Sequence, residues 1–133
     1  LFDQRPSLRP AFDTVATVIF THPQFANVGM TEETAKAKGY EFAVFDSEFR
    51  HLKYSLTQLQ YRTRFKLLVD LKTDRILGIH AVGEEVGEIL QGFSTLLHMG
   101  ITKAQLDQTI GIHPTLAEEL VTLREPSRVV LAE

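Results

Sequence analysis

Apolar and polar residues alternate most regularly over residues 61–72. Tyr61, Thr63, Phe65, Leu67, Val69 and Leu71 fall on one face of an extended chain, and Arg62, Arg64, Lys66, Asp70 and Lys72 on the other, which predicts a strand. Lys72-Thr73-Asp74-Arg75 is a polar turn and Ile76-Leu77-Gly78-Ile79-His80-Ala81-Val82 returns, so residues 61–72 and 75–82 form a predicted β-hairpin. A β-branched run, Thr14-Val15-Ala16-Thr17-Val18-Ile19-Phe20, predicts a strand over 14–20 that His22-Pro23 stops. Residues 41–49 are a further strand, with Phe42, Phe45 and Phe49 breaking strict alternation.

Elsewhere the period changes to that of a helix. Val86, Ile89, Leu90, Phe93, Leu96 and Leu97 recur at spacings of three and four, predicting a helix over 85–99 closed by Gly100. Thr102-x-x-Gln105 reads as a capping box opening a helix over 102–108, and Thr115-x-x-Glu118 as another opening a helix over 115–124. Thr31-Glu32-Glu33 starts a short helix that Gly39 ends. Residues 1–13, with Pro6 and Pro10 and no periodicity, form a leading segment, and residues 14–133 the domain. Strands precede helices, which argues for an α+β fold: an antiparallel sheet of 14–20, 41–49, 61–72 and 75–82 with the 85–99, 102–108 and 115–124 helices packed on one face.

Composition narrows the function. The 133 residues suit one domain, and 44 % hydrophobic with 23 % charged residues is ordinary for a soluble globular protein. A net charge of −3 and a pI near 6.0 carry no electrostatic footprint for nucleic acid or an acidic membrane. No apolar run approaches the roughly 20 residues of a membrane helix, and no signal peptide opens the chain. The first residue is not methionine, which suggests a fragment of a longer protein, and the absence of cysteine excludes disulfides and thiol chemistry of the chain's own. The cytoplasm, or an organelle interior, is the expected compartment.

The chemistry concentrates in Gly111-Ile112-His113-Pro114-Thr115-Leu116-Ala117-Glu118-Glu119. His113 and Glu118 stand five positions apart around a proline, and a carboxylate that orients an imidazole makes it a better general acid/base. A cis bond is expected at His113-Pro114, because X–Pro is the common site for one. A plainer role is open to Glu118, which could simply bond back to the Thr115 N–H and cap a helix. His22, His51, His80 and His98 lack a paired carboxylate or a second histidine at ligand spacing, so no metal site is expected. Arg62, Arg64 and Lys66 read as a solvated strand face. Gly83-Glu84-Glu85-Val86-Gly87 reads as a turn into a helix whose acids would repel phosphate.

These motifs together resemble the C-terminal dimerisation (interface) domain of the pyridine nucleotide–disulfide oxidoreductases, over nearly the whole chain. His22-Pro23 followed by Val28-Gly29-Met30-Thr31-Glu32-Glu33 is similar to the family's opening strand and helix, and Ile76-Leu77-Gly78-Ile79-His80 to its hairpin return. Glu88-Ile89-Leu90-Gln91-Gly92-Phe93 and Met99-Gly100-Ile101-Thr102-Lys103 resemble its long helix. The ending Glu118-Glu119-Leu120-Val121-Thr122-Leu123-Arg124 resembles the branch that reduces glutathione disulfide rather than the dihydrolipoamide or mercuric branches. Phe49-Arg50-His51-Leu52-Lys53 is similar to plant and cyanobacterial members.

The resemblance implies FAD and NADP domains upstream, a redox-active cysteine pair beside the flavin, and a two-fold homodimer. It implies that His113 enters the partner subunit's site as acid/base, with Glu118 holding its imidazole. His113 and Pro114 would touch the partner's flavin through backbone groups, and Glu119 and Thr122 would lie near the disulfide substrate. Leu52 stands where some members have a substrate-facing methionine. The chemistry is reasonable: a free thiol's pKa near about 8.5 exceeds imidazole's near about 6.5, so an imidazolium can protonate a departing thiolate. By itself the chain is expected to bind neither cofactor and to be inactive. Two other readings are a purely structural dimerisation module and a free-standing binding domain whose His–Glu pair takes a small ligand. Another member of the family, acting on dihydrolipoamide, mercuric ion or trypanothione, is a further alternative.

Overall fold

The structure, a computed structural model, describes residues 11–132. Along the chain run β1 (Thr17–Ile19), β2 (Gln24–Gly29), α1 (Glu32–Ala37), β3 (Phe42–Arg50), β4 (Arg62–Asp70), β5 (Ile76–Gly83), α2 (Val86–His98), α3 (Lys103–Asp107), α4 (Glu118–Thr122) and β6 (Arg128–Val130). The strands form one sheet in the order β1-β2-β5-β4-β3-β6, and every neighbouring pair is antiparallel. The α+β architecture expected from the sequence is therefore present, with β4 and β5 at its centre. Of the predicted leading segment, residues 1–10 lie outside the described residues.

The alternation of β4 sets the main core. Thr63, Phe65, Leu67 and Val69 are buried on one face, beside Ala26 and Val28 of β2, Phe45 of β3 and Ile79 and Ala81 of β5. Val86, Leu90 and Leu97 of α2 cover that face, joined by Leu106 of α3 and Leu120 and Val121 of α4. Burying one such side chain contributes about 1.5–3 kcal/mol, so this packing and not helix propensity holds the short α3 and α4 in place.

A second, smaller core lies on the opposite face. There Ala35 of α1 packs on Phe42 and Val44 of β3 and Leu68 of β4, edged by Met30, Tyr40, Leu77 and Val130. This explains the broken alternation of β3, since Phe42 and Val44 serve one core while Ala43 and Phe45 serve the other. It also gives Leu68 a place within the otherwise polar row of β4. The predicted helices 85–99, 102–108 and 115–124 lie over the main face; α1 was outside that scheme and covers the other.

A β-bulge reconciles the hairpin with both cores. Leu68 pairs with Gly78 but Val69 pairs with Ile76, leaving Leu77 as the extra residue. Ile76 and Ile79, an even and an odd position, thereby both reach the main core, and Leu77 turns to the second.

Several boundaries differ from the sequence reading. The strand expected over 14–20 is reduced to Thr17–Ile19, preceded by a 3₁₀ turn at Phe12–Thr14. The hydrophobic pattern predicts neither β2 nor β6, though the resemblance implies an opening strand before α1; each exists by pairing with a longer neighbour, β5 and β3 respectively. Tyr61 and Leu71, assigned to the buried face, are exposed because β4 stops at Arg62 and Asp70. The expected helix 115–124 is regular only over Glu118–Thr122, and 102–108 only over Lys103–Asp107. Thr31 caps α1 by accepting from the Thr34 N–H at 3.1 Å, and Gly39 and Gly100 take the positive φ of helix ends.

Candidate active site

After α3 the chain runs without regular structure to His113-Pro114, whose peptide bond is cis as expected. Gly111 lets this segment lie against α4: a Cβ there would stand 2.8 Å from the Glu118 Cβ and 3.2 Å from a Val121 methyl. Beyond the proline both capping-box bonds form. The Glu118 N–H donates to Thr115 Oγ1 at 3.2 Å, and the Thr115 N–H donates to Glu118 Oε2 at 3.2 Å. Leu116, Leu120 and Val121 are buried beneath this turn, so the Glu118 backbone is anchored in the core.

The same carboxylate holds the imidazole. His113 Nδ1 lies 2.9 Å from Glu118 Oε1 and 3.0 Å from Oε2. A carboxylate can only accept, so Nδ1 carries the proton and Nε2 makes no hydrogen bond among the described residues. The His113 side chain is 78 % exposed and that of Glu118 only 19 %, so the orienting group is sheltered and the oriented one is presented. The hydrogen bond from His113 holds the Glu118 carboxyl below its ordinary value, helped by the Thr115 N–H and opposed by burial. The next residue goes the other way: burial, with the adjacent charge of Glu118, pushes the Glu119 carboxyl up. The Glu118 carboxylate thus makes both bonds that its sequence position left open, one to the imidazole and one to the Thr115 N–H.

A pocket of about 520 Å³ opens at this pair. One wall carries His113, Pro114, Glu118 and Glu119; the other is the end of β3 and the connection after it, from Phe49 to Leu56. The structure therefore brings His113, Pro114, Glu118 and Glu119 together. Thr122 lies one turn further along α4, exposed, and does not line the pocket; its hydroxyl donates to the Glu119 carbonyl at 3.3 Å. Leu52 is in the facing wall. Arg50, His51 and Lys53 are there too; in the sequence their stretch stands out only for its likeness to plant and cyanobacterial members and none of them is given a place in the site, although a charged cluster at a strand end before a long polar connection was an available signal.

Three of the other four histidines have plain partners. His80 Nε2 donates to the Met30 carbonyl at 3.0 Å, His98 Nδ1 meets the Thr14 hydroxyl at 3.3 Å, and His51 Nδ1 accepts from the Lys53 N–H at 3.0 Å. Arg64 is bound to Asp46 and Lys66 to Glu32, so this face of β4 is a set of ion pairs. Among the described residues no group of three His, Cys, Asp or Glu side chains could hold a metal ion, and no helix is long and apolar enough to cross a membrane.

Residues 15–124 match the family described as pyridine nucleotide-disulphide oxidoreductase, dimerisation domain. The chain is 42 % identical over 130 residues to a protein of Pisum sativum named glutathione reductase, chloroplastic/mitochondrial, which covers 98 % of the chain and 23 % of that protein. It is 47 % identical over 114 residues to a glutathione reductase of Nostoc sp., covering 84 % of the chain and 25 % of the relative. It is 39 % identical over 115 residues to one of Yarrowia lipolytica, covering 85 % and 24 %. The chain thus spans about a quarter of the length of these relatives. With the matching fold and a family match over most of its length, this chain belongs to the dimerisation-domain family of the pyridine nucleotide–disulphide oxidoreductases.

Proposed function

We propose that the chain is the interface domain of a flavoprotein disulfide reductase that forms a two-fold homodimer and reduces glutathione disulfide in the cytoplasm or an organelle interior. The observation that carries this reading is the His113–Glu118 pair, an imidazole fixed through Nδ1 with Nε2 free, at the mouth of a pocket of about 520 Å³. The names of the relatives support the substrate class.

In thiol–disulfide exchange a thiolate attacks one sulfur, the new S–S bond forms as the old one breaks, and the departing sulfur leaves as a thiolate. His113, protonated, gives its Nε2 proton to that sulfur, and the neutral ring takes one back from the next thiol. Glu118 keeps the ring in the Nδ1–H form and balances the imidazolium charge. Since the chain has no cysteine, the attacking thiol belongs to the parent protein's redox-active pair. Glu119 and Thr122 would flank the bound disulfide.

FAD and NADP fall to the parent's upstream domains. The turn Gly83–Gly87 of this chain is no diphosphate cradle, because a Cβ-sized space at Gly83 is filled by Thr63 and because Glu84 and Glu85 are acidic. His113 and Pro114, exposed on their turn, fit contact with a flavin through backbone groups. When bound, the flavin supplies the electron pair that regenerates the dithiol. The test is stopped-flow measurement of the two half-reactions in the full-length protein. His113→Gln should slow reoxidation by glutathione disulfide roughly 10²-fold or more and leave reduction by NADPH within about twofold. Reoxidation at the wild-type rate would overturn the assignment.

A further inference from the structure

The pocket wall that faces His113 is made by the connection between β3 and β4, residues 51–61, which has little to hold it. None of these residues is buried, Leu56 is almost wholly exposed, and the only regular element is a 3₁₀ turn at Leu52–Tyr54. Ordering such a stretch costs backbone entropy that the edge contacts of the Tyr54 ring with His51 and Tyr61 offset only in part, so polar bonds must supply the rest.

Those bonds converge on one side chain. Arg50, the last residue of β3, shares the two hydrogens of Nη2 among three carbonyls, that of Tyr54, that of Thr57 at 2.8 Å and that of Leu59 at 2.9 Å. Its Nε is buried and has no partner among the described residues, so there all of its side-chain hydrogen bonds run through Nη2 to this connection. The near end of the connection has a second tie, because Lys53 and Tyr54 both bind Glu84 in the turn between β5 and α2. The far end has none: among the described residues the other bonds of Thr57 and Leu59 stay within the connection. Charge-assisted bonds to three carbonyls make Arg50 the pin of the whole segment.

We infer that Arg50 is a positioning residue, which sets the distance between the Leu52–Leu56 wall and His113 and thereby how well the disulfide seats. The inference rests on the disulfide-reductase reading above. It concerns binding, not the proton transfer itself: Arg50 supports the wall through backbone carbonyls, while His113 and Glu118 are held independently by the capping turn.

The experiment uses the full-length flavoprotein carrying Arg50→Gln or Arg50→Lys. For Arg50→Gln the KM for glutathione disulfide should rise about tenfold, while kcat and the NADPH half-reaction stay within about twofold. Amide hydrogen exchange over residues 54–60 should quicken by about tenfold or more in the same variant. Arg50→Lys keeps a cation with three donors and should recover part of both effects. A raised KM with unchanged exchange would overturn the inference in favour of direct substrate contact. Faster exchange or a lower melting temperature with unchanged KM would also overturn it, leaving Arg50 a structural residue only. The exchange arm needs no turnover, so it judges the role of Arg50 in the loop even if His113→Gln sinks the functional reading.

Discussion

Gly29 and Gly78 are cross-strand partners in β2 and β5, and at each the neighbouring backbone occupies the space a Cβ would need. A Cβ on Gly29 would stand 2.4 Å from the Leu77 carbonyl oxygen, and one on Gly78 would stand 2.2 Å from the Met30 carbonyl oxygen. Gly29 also has φ +80. The same carbonyl of Leu77 accepts the Met30 N–H at 2.8 Å, so the crowded atoms belong to the contact that leads the chain from the sheet into α1.

Gly29→Ala and Gly78→Ala should therefore each destabilise the chain by about 2–4 kcal/mol, since backbone must move. Gly39→Ala is the control. Gly39 has φ +76 with nothing near its missing Cβ, and the substitution should cost only about 1 kcal/mol. Urea denaturation separates the cases; equal costs at Gly29 and Gly39 would mean that the positive φ and not the close approach is the constraint.

Lys103 is buried, with Nζ 2.5 Å from Asp107 Oδ1 and 4.4 Å from the centre of the Phe45 ring. Asp107 is shared with Arg124 at 3.1 Å, which ties α3 to the segment after α4. Lys103→Met leaves Asp107 paired and should lie within about 1.5 kcal/mol of wild type, whereas Asp107→Ala strands a buried ammonium and should cost about 3–5 kcal/mol. The reverse order in urea denaturation would show that the cation's pairing is not what Asp107 supplies.

His80 should make stability pH-dependent. Burial holds its pKa below the ordinary 6.5, against the bond to the Met30 carbonyl, with Lys66 adding to the lowering and Glu32 opposing it. A folded-state value below the unfolded one gives stability that is fully present above pH 6.5 and is lost as pH falls through the folded value. His80→Gln can still donate to Met30 and should flatten the profile below pH 6.5 without lowering it above. A variant profile as steep as that of wild type would assign the loss to other groups.

Glu118→Gln separates the two duties of that side chain. The amide oxygen can still accept the Thr115 N–H, so the turn into α4 should survive and the melting temperature should barely move. In the full-length protein, reoxidation by the disulfide should slow less than in His113→Gln, because the imidazole remains but loses its charged orienter. Reoxidation at the wild-type rate in Glu118→Gln would reduce Glu118 to a helix cap.

Signals whose physics is local carry directly from sequence to structure. Thr102-x-x-Gln105 and Thr115-x-x-Glu118 both form their reciprocal bonds, Gly100 ends α2 at φ +71, and the stripes of β4 and α2 face each other across the main core. His113 and Glu118 were legible as a pair for the same reason, since five residues and a capping turn suffice to join them. The mixed pattern of β3 was not interpretable alone, because it needs α1 on one face and α2 on the other. The β2 and β6 strands had no strong pattern of their own, because a ladder with a longer strand stabilises them. The wall facing His113 was the least visible part of the site. Arg50 places it by binding carbonyls four, seven and nine residues onward, and a backbone carbonyl is the same atom whatever side chain it bears.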